Sequence, residues 1–265
     1  MATRTRVGRS AAAPSKRASH PASARTSRAP AGGIAHWHEI KLDIVRRYGV
    51  AYSTIASRQP GLAHYWIDGF IRSGTDSPAD DSTRPGAGAG AHGFVPGNPL
   101  NSLLVAPPFH HHYLVSMDGQ RPDALRRAVA GRPDVTLPEG GSRALAEDVL
   151  PCVRQEDYRR ALCVLDPCGA ALDWRVIEMA GRLRTIDLFV ALENTPDTTP
   201  QALKRRLRED AGFANVFDPL PLRDQAGRAT AHLFFASRNN MANGIVEDIF
   251  TTHRDGAAPA GGARA

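Results

Sequence analysis

Two aspartates far apart in the chain stand where an α/β enzyme would do chemistry. The first lies in Tyr65-Trp-Ile-Asp-Gly-Phe-Ile-Arg-Ser-Gly74, the second in Ala161-Leu-Cys-Val-Leu-Asp-Pro-Cys-Gly169. Each closes an apolar, β-rich run and is followed by glycine, and in an open sheet ligands sit beyond the carboxyl ends of the strands. Asp68, Gly69 and Gly74 therefore suit a cofactor loop, although a turn aspartate at an ordinary strand exit reads the same way. The second run is sharper. Proline cannot donate to a sheet ladder, so the strand is expected to end on Asp166, with its carboxylate projecting into the cleft beside Pro167 and Gly169. One acid then faces a cofactor and another faces a substrate.

The other polar clusters read more simply. His110, His111 and His112 are consecutive, but strand neighbours point to opposite faces, so at most His110 and His112 share a side and no metal site is expected. Three cysteines, Cys152, Cys163 and Cys168, form no framework and no ligand spacing, which fits a reducing cytoplasm. Cys168 beside Pro167 is similar to the nucleophile of pyrimidine C5 methyltransferases. Such a thiol would need a nearby cation or helix N-terminus to lower its pKa, and a small apolar filler is the simpler reading.

Elements that could position these residues follow from hydrophobic spacing. Ile40, Ile44, Val45, Tyr48, Tyr52 and Ile55 make a helical stripe over about 37–57. Strands are expected near 64–68, 111–115, 134–137, 160–165 and 186–192, alternating with helices near 98–106, 122–130, 143–158, 174–182 and 201–211. Alternation of this kind means parallel strands joined by right-handed crossovers. The end differs: 216–222 and 230–237 flank a polar, glycine-containing turn and predict an antiparallel hairpin, with a last helix near 243–253. The fold class is thus α/β with a Rossmann-like, mostly parallel sheet. Residues 75–97, rich in Gly, Ala, Pro and Asp, predict a long loop that could cover the cleft. Asp173 is placed to cap the helix that starts at Trp174.

In four stretches the chain resembles the three-Cys-motif partner (TcmP) family, whose members pair a methyltransferase-like domain with a separately encoded radical-chemistry-type protein. The stretches are His36-Trp-His-Glu-Ile-Lys-Leu-Asp-Ile-Val-Arg-Arg-Tyr48 continuing to Tyr52, Tyr65 to Gly74, Ala161 to Trp174, and Ala231 to Asn239 with Ile245 to Ile249. The resemblance implies a class I methyltransferase-type sheet in which the two aspartate runs are strands one and four. It implies S-adenosylmethionine as cofactor, bound by Asp68, Gly69 and Gly74, a catalytic edge at Asp166, Pro167 and Gly169, and a three-cysteine-motif partner. Three positions depart from the family pattern. Ile71-Arg72 replace a small Ala-Gly pair, and Ser116 stands where strand two should end on a ribose-binding acid, with Asp118 as a substitute. Ser142 stands where an adenine-side acid belongs. A non-catalytic member that keeps the fold and the partner surface is the alternative to an active methyltransferase.

Composition sets the boundaries. Of 265 residues, 1–33 carry seven Lys or Arg and no acid, and removing those seven charges from the formal +6 leaves −1 for the rest. The basic balance belongs to that arm. Its small and polar residues cannot offset the entropy of ordering, so 1–35 is expected to be a disordered tail, 36–254 one domain, and 255–265 a second tail. Such an arm suits weak contact with nucleic acid or acidic lipid, and equally a solvated extension without function. Nothing in the sequence reads as a secretory signal or a membrane span, which predicts a soluble cytoplasmic protein.

Overall fold

The computed structural model describes residues 36–71, 99–116, 123–167, 172–195, 199–223, 227–240 and 242–255. By its own contacts the chain divides into residues 1–33 and Ile34–Ala265. The expectation of disorder at both ends, the 75–97 loop, and the sites at Arg72, Gly74, Asp118, Cys168 and Gly169 lie outside the described residues.

Within the second unit, helix α1 (His36–Ala56) precedes strand β1 (Ala63–Ile71). Then come β2 (His111–Ser116), α2 (Asp123–Ala128), β3 (Val135–Thr136), α3 (Gly141–Ala144), β4 (Arg159–Leu165), α4 (Trp174–Leu183), β5 (Ile186–Glu193) and α5 (Pro200–Glu209). The chain ends with β6 (Asn215–Val216), β7 (Leu220–Arg223), β8 (Ala229–Ser237) and α6 (Ala242–Asp255). The sheet order is β3-β2-β1-β4-β5-β8-β6, with β7 also on β8. Strands β1 to β5 are parallel, and β8 runs against β5, β6 and β7. This is the Rossmann-like, methyltransferase-type sheet with its antiparallel C-terminal hairpin. The chain reverses strand order between β1 and β4, the place where open sheets bind ligands.

Both faces of the sheet are buried, so its central strands are apolar on both sides. Trp66, Leu162, Phe189 and Phe235 point to the side covered by α1 and α6. Their chain neighbours Ile67, Cys163, Val190 and Phe234 point to the side covered by α4, α5 and the segment 145–153, as the two-residue period of a strand requires. Each fully buried side chain of this size contributes about 1.5–3 kcal/mol. Helix α1 lies close to the sheet because Gly49 has no side chain: a Cβ there would come within 2.7 Å of the Trp66 ring.

Several expected elements differ. Residues 143–158 do not form one helix: α3 passes into a π-helical turn at Leu145–Val149 and a 3-10 turn at Leu150–Cys152. Pro151 withdraws a backbone donor at that point, and the chain leaves the helix before β4. The helix expected at 98–106 is a single 3-10 turn, Asn101–Leu104, and 216–222 divides into β6 and β7. Strand β3 spans two residues, so Ser142 sits in α3 rather than at a strand end. Among the described residues no helix is long and apolar enough to cross a membrane.

Candidate functional site

The two aspartates meet at one edge. In the β1–β4 register Asp68 lies beside Val164, so Asp166 is two residues further along the same face, about 6.6 Å in strand rise. Strand β4 itself stops at Leu165, and Asp166 is the first residue beyond it. The expected placement of Asp166 inside the strand is corrected by that one residue. Its carboxylate still leaves the sheet edge, held by the buried Pro167 that follows.

Strand β1 does not break at Gly69. It continues to Ile71 with an irregularity between Gly69 and Ile71. Gly69 belongs to the face opposite Asp68, and a Cβ on it would lie 2.6 Å from Leu165 Cδ2 and 2.8 Å from Leu145 Cδ1. Its bareness is a packing requirement of the core. The π-helical turn that carries Leu145 can approach the end of β1 only because that position has no side chain.

A third residue completes the site. Lys41, in the second turn of α1, forms an ion pair with Asp166 across 125 positions of sequence. It is 6% exposed, and the Asp166 side chain is 22% exposed. Lys41 occupies the same helical stripe as Ile44, Val45, Tyr48 and Tyr52, so the fold carries an ammonium group into an otherwise apolar interface. A lysine on the buried stripe of a helix is the sequence signal that would have found it.

Asp68 differs from both. As a residue it is partly exposed, yet its carboxyl is deep enough for burial to push its pKa up to about 7, with the Lys41 charge opposing that rise. No hydrogen bond reaches this carboxyl among the described residues. An acceptor without donors on a buried edge is poised for a ligand that brings one. The end of β2 is less well equipped. Ser116 is buried there.

The remaining polar residues of the reading are structural. His64 joins the histidine cluster: its Nδ1 is 3.0 Å from His110 Nδ1 and its Nε2 is 2.9 Å from Ser53 Oγ. His111 and His112 go separately to Thr136 and Ser102. The described residues contain no group of three metal-ligating side chains. A cavity of about 470 Å³ opens beside His64 and His110, at the amino ends of the strands and away from Asp68 and Asp166. Cys163 is buried, which pushes its thiol up and makes it inert, and Cys152 is a free, partly exposed thiol. Asp173 caps α4 by accepting from the Arg175 amide at 3.0 Å.

No family model and no curated protein matches the sequence. Solved structures resemble its fold. Protein LPL1258 from Legionella pneumophila, of family DUF519, superposes with a TM-score of 0.57 at 12% identity, covering 86% of this chain and 95% of its own. A Synechocystis magnesium protoporphyrin IX methyltransferase with bound SAM aligns at a TM-score of 0.41 and 12% identity, over 77% of this chain and 80% of its own. An Aeropyrum pernix fibrillarin with bound S-adenosylmethionine aligns at 0.39 and 13%, over 72% and 76%. At these identities the likeness to LPL1258 is one of fold alone.

Proposed function

We propose that this chain is an S-adenosylmethionine-dependent methyltransferase of the three-Cys-motif partner type. The observation that carries the reading is the shared edge: Asp68 and Asp166 emerge from adjacent parallel strands at the point where strand order reverses. The residues fit the cofactor, because the half-buried Asp68 carboxyl has no hydrogen-bond donor among the described residues. Bound there, S-adenosylmethionine would supply an activated methyl group. Asp68 would accept from its ammonium group, and Gly74, past the end of β1 in sequence, would offer backbone to it. Asp166 would accept a hydrogen bond from the methyl acceptor and orient it, while Pro167 and Gly169 shape the edge it projects from. Transfer from a sulfonium needs mainly alignment, so one orienting acid can suffice.

Ligand-dependent stability tests this directly. At a hundredfold excess over its dissociation constant the cofactor stabilises a binding-competent fold by about 2.7 kcal/mol, and Asp68→Ala should abolish that gain. A second reading, a non-catalytic partner protein, is favoured by Ser116 at the end of β2. On that reading the wild type shows no shift at millimolar cofactor, and Arg72→Gly with Ser116→Glu recovers one. In either case we place the protein in the cytoplasm beside a three-cysteine-motif partner, a pairing that rests on the sequence resemblance alone. Co-purification of the two chains from one expression host tests the pairing. The basic arm, residues 1–33, would add weak, salt-dependent contact with nucleic acid.

A further inference from the structure

We propose that Lys41 is a partner-switching anchor: it holds Asp166 in the cofactor-free protein and transfers to the α-carboxylate of the bound cofactor, so that cofactor binding frees Asp166 for the methyl acceptor. This rests on the methyltransferase reading and assigns it a binding residue and an order of events.

Charge and burial carry the argument. Among the described residues two carboxyls, Asp68 and Asp166, lie near one ammonium, Lys41. S-adenosylmethionine carries a sulfonium, an ammonium and a carboxylate, a net charge of +1. Its amino-acid end presents an ammonium and a carboxylate on one carbon, and the edge presents an acceptor without donors beside a buried cation. Lys41 is 6% exposed, so an ammonium that releases Asp166 is better served by another anion than by bulk water. Asp166, with 22% of its side chain exposed, can be solvated once Lys41 departs. A lysine suits such an exchange. Its ammonium is a point charge on a flexible four-carbon stem, whereas an arginine fork would lock bidentately onto one carboxylate.

The same exchange moves a proton. At neutral pH the Asp68 carboxyl, with a pKa of about 7, is part protonated. An ammonium placed beside it favours the ionised form and drives the proton off. Binding should therefore release protons near pH 7 and tighten as pH rises from 6 to 8.

Calorimetric titration of the full chain with S-adenosylmethionine and with decarboxylated S-adenosylmethionine, which keeps the ammonium and sulfonium but lacks the carboxylate, tests the inference. In wild type the decarboxylated ligand should bind at least tenfold more weakly. Lys41→Met should weaken S-adenosylmethionine at least tenfold and erase the difference between the two ligands, and Lys41→Arg, whose fork stays on Asp166, should lose most of the discrimination as well. Repeating the wild-type titration in two buffers of different ionisation heat should show net proton release at pH 7. Equal affinity of wild type for both ligands would overturn the Lys41 assignment and leave the methyltransferase reading intact, and this arm needs no variant to fold. Discrimination that persists in Lys41→Met would overturn it as well. If wild type binds neither ligand, the methyltransferase reading fails first and the anchor with it.

Discussion

Two aspartates, one buried and one half-buried, face α1 from the same side of the sheet, and they are treated in opposite ways. Asp187, at the amino end of β5, accepts from Tyr48 Oη at 2.7 Å and from the Ser237 hydroxyl. Burial raises its pKa while both hydrogen bonds act the other way, and both of its oxygens have a donor. Asp68, at the carboxyl end of β1, is served by no donor among the described residues and has only the Lys41 charge nearby. One helix thus supplies a hydroxyl to the first acid and an ammonium to the neighbourhood of the second. A buried acid whose donors are supplied by the fold is part of the scaffold, whereas one left short of donors stores a cost that a ligand can relieve.

The contrast breaks most sharply at Asp187. Asp187→Ala would leave the Tyr48 and Ser237 hydroxyls buried without their acceptor and remove packed volume, which should cost about 3 kcal/mol. Urea unfolding at pH 7 measures it, and cofactor affinity should change little. A loss under about 0.5 kcal/mol would show that the network is not structural.

Asp68→Asn should act with the opposite sign. The folded pKa is raised to about 7, so between the unfolded value and 7 the folded state holds a proton that the unfolded chain has released. This contribution is complete below about pH 4 and is lost as pH rises through the folded value of about 7. Wild type should lose stability between pH 5 and pH 8, while the asparagine variant should not and should be the more stable by about 2 kcal/mol at pH 8. Unfolding free energy measured across that range decides it, and parallel curves for the two proteins would remove Asp68 as the titrating group.

The scaffold was legible in the sequence because its signals are local. Strand β5 reads from the apolar run Leu188–Leu192, α1 from its stripe, and Asp166 from the proline that follows it. The β7–β8 hairpin reads from the polar turn between two β-rich runs. What escaped depends on partners distant in the chain. Lys41 and Asp166 are separated by 125 residues: a lysine on the buried stripe of α1 marks the position, but nothing in either neighbourhood names its partner. The segment from Arg143 to Tyr158 has helical spacing and was expected as one helix. Its π-helical turn is compatible with the close packing of Leu145 against Gly69 of β1, a contact that helical periodicity does not register. Ser142 was misplaced for a related reason. Strand β3, at the edge of the sheet, spans only two residues, which leaves Ser142 in α3.

Gly69 sharpens the comparison at smaller scale, because it sits beside Asp68 yet points into the opposite core. Gly69→Ala would place a methyl 2.6 Å from Leu165 Cδ2 and 2.8 Å from Leu145 Cδ1, both far ends of flexible side chains that can yield. The expected cost is about 1–2 kcal/mol in chemical denaturation, from overpacking. Cofactor affinity at fixed pH should change less than threefold. A large loss of affinity with unchanged stability would return Gly69 to the ligand side of the edge.

The smallest effect is expected from removing residues 1–33. Seven cations and no acid among alanine, serine, proline and threonine leave little apolar surface to bury, and residues from Ile34 onward form a unit of their own by contacts. Deletion should therefore shift unfolding by less than about 0.5 kcal/mol and leave both aspartates as they are. The net charge, by contrast, falls from +6 to −1. If the arm touches nucleic acid, full-length protein should bind single-stranded oligonucleotide with an affinity that falls steeply with salt, with a slope of up to about 0.7 for each cation engaged. The shortened protein should lose that binding and keep its cofactor affinity. A marked drop in stability on deletion would show that the arm packs on the fold, and salt-dependent binding that survives deletion would move the nucleic-acid contact onto the α/β domain.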